Sequence, residues 1–172
     1  MTTDEFDEYV SEFMKQDMPH YDGLKRGDGF YKPMLQVIDY LEANDFTVYV
    51  VTGTDDIINR AVMKSSTMLN VPVERVIGST QTFVGVNQGT EDGLEYFLHD
   101  DKVILGNEFI IKNLNMNKVS AIAQRIAKQP VLAFGNSSSD GSMLNYTIEE
   151  SLIIEYIMPF PNFFKNIRLN HD

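Results

Sequence analysis

The sequence predicts an α/β fold, with a mainly parallel sheet flanked by helices. The order of the elements points to it, and the composition points to a globular chain. Apolar stripes at helical spacing alternate with short β-branched runs, the pattern of a layered α/β domain. Hydrophobic residues make up 43% of the 172-residue chain, near the globular norm. At about 100–200 residues per domain, this length is one domain or slightly more, enough to bury a core.

Phe6, Tyr9, Val10 and Phe13 recur at helical spacing and predict an amphipathic helix in an acidic opening segment. Met18-Pro19-His20-Tyr21-Asp22-Gly23 breaks it. Residues 1–30 therefore read as a helical flap or part of a cap, and 31–172 as the α/β core. Pro33 sits where a first helical residue is favoured, and Met34, Leu35, Val37, Ile38 and Leu41 mark one apolar face, ended by Asn44-Asp45. Phe46–Val51 is rich in β-branched and aromatic residues and predicts a buried strand. Thr52-Gly53-Thr54-Asp55 then reads as a loop into a helix reaching about Leu69, and Val73–Ile77 as a further strand.

Residues 78–112 are punctuated by glycines between the short runs Thr82–Val86, Leu94–Leu98 and Lys102–Leu105, which predict a β-hairpin or small meander. Val119, Ile122, Ala123 and Ile126 give a helix face, and Pro130–Phe134 a short buried strand. Gly135–Gly141 reads as a polar loop into a helix at Met143-Leu144, and Leu152–Ile157 as a last strand.

Acidic residues number 25 and basic residues 14, so the formal charge is −11. Such an excess repels nucleic-acid backbones and anionic lipid surfaces. The absence of cysteine removes disulfides, thiolate zinc sites and a cysteine nucleophile. No apolar run approaches the roughly 18 residues of a membrane span, and Met1-Thr2-Thr3-Asp4-Glu5 is not a signal peptide. The expectation is cytoplasmic by default. His20, His99 and His171 lack metal-ligand spacing, the nine methionines suit core packing, and Phe160, Phe163 and Phe164 suit packing or a dimer contact.

Three features carry chemistry, each at or after the carboxyl end of an expected strand, where ligands bind in open parallel sheets. In Val50-Val51-Thr52-Gly53-Thr54, a hydroxyl beside a helix amino terminus can bind a phosphoryl oxygen; alternatively Thr54 or Asp55 caps the helix. Lys118 begins a helix whose dipole it opposes, so it either neutralises a phosphate or is a solvated surface lysine. The loop Gly135-Asn136-Ser137-Ser138-Ser139-Asp140 offers an amide oxygen and a carboxylate four residues apart. Such donors suit magnesium, or cap the next helix.

In this order the three features resemble the haloacid dehalogenase (HAD) superfamily, and within it the phosphoserine-phosphatase-like phosphomonoesterases. The likeness runs over about residues 30–157, and Gly-Asn-Ser-x-x-Asp-Gly-x-Met-Leu at 135–144 is its most specific part. The resemblance implies a Rossmann-like core, with residues 1–30 as a remnant helical cap. It implies Thr52 and Gly53 as phosphate binders, Lys118 as the phosphate-holding lysine, and Asn136 and Asp140 as ligands of Mg2+. Thr52 and Lys118 would be the catalytic residues, on a small phosphorylated metabolite. Lys25 and Arg26 are cations of the cap segment that could hold a substrate carboxylate or phosphate. The family commonly has aspartate where this chain has Asn136, which removes a formal charge from that ligand position.

The family's Asp-x-Asp-x-Thr motif supplies a carboxylate nucleophile and a general acid–base. This chain lacks it: Asp4-Glu5-Phe6-Asp7, Asp55-Asp56 and Asp100-Asp101 have the wrong spacing or setting. The strand that would carry it is missing as well, so the core is expected to be incomplete at its N-terminal strand. The chain then reads as a C-terminal portion of a phosphatase, inactive alone. The alternatives are a non-catalytic phosphate- or metal-binding module, and a piece completed by a separate N-terminal fragment or a second copy.

Overall fold

Thr2 and Glu5 start the first helix by reciprocal capping. Glu5 N–H donates to Thr2 Oγ1 at 3.2 Å and Thr2 N–H donates to Glu5 Oε2 at 2.8 Å. Helix α1 runs Thr3–Met14. Its inward stripe is Phe6, Val10 and Met14; Tyr9 and Phe13, expected on the same face, are exposed. Phe13 instead lies 4.4 Å under the Arg26 guanidinium. The computed structural model describes residues 1–66, 68–69, 71–87, 96 and 99–148. They fall in two compact units, Met1–Lys112 and Asn113–Asp172.

In the first unit, α2 spans Lys32–Ala43 with a proline in its first turn, as expected, and Asn44 caps its end. Strand β1 is Val50–Asp55 and helix α3 is Asp56–Ser65. A 3-10 turn at Val73–Arg75 leads into β2, Val76–Gly85, and β3 is Val103–Ile111. The order is β1-β2-β3, with β1 parallel and β3 antiparallel to β2. The expected mainly parallel sheet is thus corrected among the described residues to a three-stranded mixed sheet. Its core is Met63, Leu69, Val71 and Val76, packed by Phe30, Leu35, Ile38, Val48 and Val50. The two units together hold five α-helices among the described residues.

The start of β1 moved because a strand extends only where a neighbour can bond it. Parallel pairing begins at Val50↔Val76, because the 3-10 turn occupies the residues before Val76. Phe46–Tyr49, expected to be strand, therefore precede the ladder; Phe46 and Tyr49 are exposed while Val48 packs on the core. Thr52–Asp55, expected to be loop, belong to β1. Helix α3 stops at Ser65 rather than near Leu69, and the Ser66 hydroxyl accepts from Met68 and Leu69 N–H. The hairpin is present as β2–β3. At its base Asp101 accepts from Asn87 N–H at 3.0 Å and from Lys102 N–H at 2.7 Å. Leu94–Leu98 lies outside the described residues apart from Tyr96, as do Leu152–Ile157, the Phe160–Phe164 cluster and His171.

In the second unit, α4 is Met116–Arg125 and α5 is Gly141–Asn145, preceded by a 3-10 turn at Ser138–Asp140. Val119 and Ile122 are buried as expected, whereas Ala123 is exposed. Pro130–Phe134, expected as a strand, enters no ladder among the described residues, though Ala133 is buried. No helix of the described residues is long and apolar enough to cross a membrane.

Gly78 is where β2 meets the start of α3. A Cβ there would lie 2.6 Å from Asp56 Cα, Asp56 N and Thr54 O, all backbone. Gly78→Ala is therefore expected to destabilise the protein by about 1–3 kcal/mol, the usual cost of overpacking. Urea unfolding measures this; unchanged stability means that β2 and α3 do not approach this closely in solution.

Candidate functional site: a lysine–aspartate pair and its loop

Lys118 is the third residue of α4 and Asp140 ends the 3-10 turn. Their side chains are 5% and 7% exposed, and Lys118 Nζ donates to Asp140 Oδ1 at 2.6 Å. The solvated-lysine reading of Lys118 is thereby corrected. A lysine opposing the helix dipole is tolerated here because its charge is spent on a buried carboxylate rather than on water.

The other carboxylate oxygen organises the loop. Asp140 Oδ2 accepts from Asn136 N–H at 3.0 Å, Ser137 N–H at 2.9 Å and the Ser137 hydroxyl at 3.1 Å. Ser137 caps the turn that Asp140 ends. Asn115 N–H donates to Ser139 O at 3.1 Å, tying the start of α4 to the same loop. Gly135 makes room: a Cβ there would stand 2.5 Å from Asp140 Cβ and 3.1 Å from Oδ2. Burial by itself would push the Asp140 carboxyl up. The Lys118 ammonium and the Asn136 and Ser137 N–H groups outweigh it and hold the carboxyl below its ordinary 3.8.

Thr52 and Gly53 belong to the first unit. Thr52 Oγ1 accepts from Thr54 N–H at 3.1 Å, and Gly53 O accepts from the buried Ser79 hydroxyl at 2.7 Å. Asp55 caps α3 through Ile57 N–H at 3.3 Å, so the capping alternative holds for that residue. Burial raises the Asp55 carboxyl; adjacent Asp56 adds to this, while Ile57 N–H and Arg60 oppose it. The structure thus brings together Lys118, Asn136 and Asp140 in the second unit, while Thr52 and Gly53 stand on β1 of the first.

The residues do not fit a magnesium site as expected. Asp140 already accepts from Lys118 Nζ on Oδ1 and from Asn136 N, Ser137 N and Ser137 Oγ on Oδ2. Asn136 is neutral, and its backbone N–H is already part of the loop's bonding. Among the described residues no three His, Cys, Asp or Glu side chains gather to hold a metal ion. The alternative reading of the loop, serine and aspartate capping the next helix, holds for Ser137 and Asp140, whereas the sequence reading gives Gly135 no role. Ser137 followed three residues later by Asp140 is a capping-box spacing, a signal that was present.

Two outcomes follow for this pair. Lys118→Met leaves a buried carboxylate without its ammonium, so a loss of about 3–5 kcal/mol is expected in urea unfolding; an unchanged midpoint contradicts the burial of the pair. A carboxylate with a depressed folded value stabilises the fold above its unfolded value. Asp140's contribution is therefore present above 3.8 and lost as pH falls through its lower folded value. The stability gap between wild type and Asp140→Asn is expected to close below pH 3.8, and a gap independent of pH contradicts the assignment.

No protein-family model matches the chain, and no curated protein matches it. Among solved structures it is similar to a conserved functionally unknown protein from Anaerococcus prevotii DSM 20548. That match has a TM-score of 0.60 and 18% identity, over 85% of this chain and 42% of the other. A phosphoserine phosphohydrolase-like protein from Francisella tularensis subsp. tularensis SCHU S4 aligns over 84% of this chain and 53% of its own, at a TM-score of 0.45 and 15% identity. The chain spans about half or less of the length of these structures. The first similarity shows a shared α/β fold.

Proposed function

We propose that this chain is the phosphate-handling portion of a HAD-like phosphomonoester hydrolase, acting on a small phosphorylated metabolite, and that its 172 residues do not turn over substrate alone. The observation that carries the reading is the Lys118–Asp140 contact. The resemblance rests on a lysine and an acidic loop that serve one phosphate site, and these two residues, 22 apart, bond at 2.6 Å. In this reading, as the resemblance implies, Lys118 of the second unit holds phosphate as a hydrogen-bond donor whose charge Asp140 already balances, and Thr52 and Gly53 of the first unit are donors to phosphate. Positioning and charge neutralisation are the larger part of phosphoryl-transfer catalysis. Magnesium belongs to the reading only as what the resemblance implies, and no step is drawn through it. The attacking aspartate would have to come from outside these residues, since Asp-x-Asp-x-Thr is absent from them. That absence also favours a second reading, a phosphate-binding module without catalysis.

The assay is p-nitrophenyl phosphate with magnesium. The expected result is no turnover above buffer. Turnover abolished by Thr52→Ala or Lys118→Ala overturns inactivity. Adding a separate fragment that carries Asp-x-Asp-x-Thr separates the two readings: restored turnover supports the hydrolase, and phosphate binding without turnover supports the module.

A further inference from the structure

We infer that the loop 135–140 carries its own cation: the Lys118 ammonium occupies the place at Asp140 that a divalent ion would take, and the loop is complete without metal. Three observations bear on this. The ammonium sits 2.6 Å from Asp140 Oδ1, and both residues are about 95% buried. The opposite oxygen is saturated by Asn136 N–H, Ser137 N–H and the Ser137 hydroxyl. The remaining side chain proposed as a ligand, Asn136, brings no charge, and the described residues offer no three-ligand cluster.

Magnesium demands near-octahedral oxygen ligation at about 2.0–2.1 Å and gives up water reluctantly. At Asp140 it would meet the Lys118 ammonium already held on Oδ1, so a buried ammonium would face a dication. The like-charge repulsion and the desolvation both oppose that arrangement. In the closed loop, by contrast, one negative carboxylate meets one positive ammonium and three neutral donors, so charge and hydrogen bonding balance locally. Gly135 completes the arrangement, since any side chain there would strike Asp140. Lys118 is thus a positioning residue for the loop amides, whatever it does toward phosphate. The inference takes the expected ion position from the same resemblance as the phosphatase reading, but it is tested by metal binding, whereas that reading is tested by turnover and phosphate binding.

The experiment is a titration of the full chain with MgCl2, starting in EDTA, followed by melting temperature and by the Asn136 and Ser137 amide resonances. The expected result is no shift in either. A saturable Mg2+-dependent shift that Asp140→Asn abolishes overturns the inference. Lys118→Arg, which keeps the charge, is expected to retain the amide positions. Lys118→Met is expected to lose them and to melt at least about 5 °C lower. Wild-type amide positions and melting in Lys118→Met also overturn it. Should Lys118→Met fail to fold, the wild-type titration decides.

Discussion

The second unit depends on one buried carboxylate. Asp140 holds an ammonium on one oxygen and three loop donors on the other. Removing the ammonium leaves a buried carboxylate without its counter-charge, which costs far more than the intact pair contributes on balance. The constraint reaches outward. It fixes the rotamer of Lys118, and it fixes the path of the backbone from Asn136 to Asp140. It also requires glycine at 135, where a Cβ would collide with the carboxylate.

The first unit is organised by backbone proximity rather than by charge. β2 approaches the start of α3 so closely that Gly78 is required. The buried Asp56 pairs there with Arg60 at 3.0 Å, and Arg60 also donates to Val76 O at 3.2 Å. Helix, strand and ion pair thus secure one another around Val76, which is fully buried. The Ser79 hydroxyl on Gly53 O joins β2 to β1 where the regular ladder slips between Val51 and Asp55. That slip is a local departure from ladder geometry at Thr52-Gly53-Thr54, the segment singled out for phosphate binding.

Charge acquires a local meaning from this arrangement. A chain at −11 repels phosphate at long range, so a phosphate-handling role requires positive potential confined to a small region. Lys118 is a buried cation, and Asp140 already balances it. The pair therefore offers hydrogen-bond geometry more than net positive charge. This ties the phosphate-handling proposal to donors such as the Thr52 hydroxyl as much as to the lysine.

The sequence by itself determined the local elements. The helices α1, α2 and α4, the proline in the first turn of α2 and the turn before α5 are each encoded within a few neighbouring residues, by periodicity, capping and turn chemistry. By resemblance it also singled out Lys118 as a phosphate binder and Asp140 as a metal ligand, without pairing the two. Tertiary structure decided what those residues do. Whether Lys118 faces water or a carboxylate depends on a residue 22 positions away. Whether Phe46–Tyr49 or Thr52–Asp55 joins a strand depends on where β2 begins. Side-chain patterns specify a face, but strand extent and buried ion pairs are set by the partner, and the partner lies elsewhere in the chain.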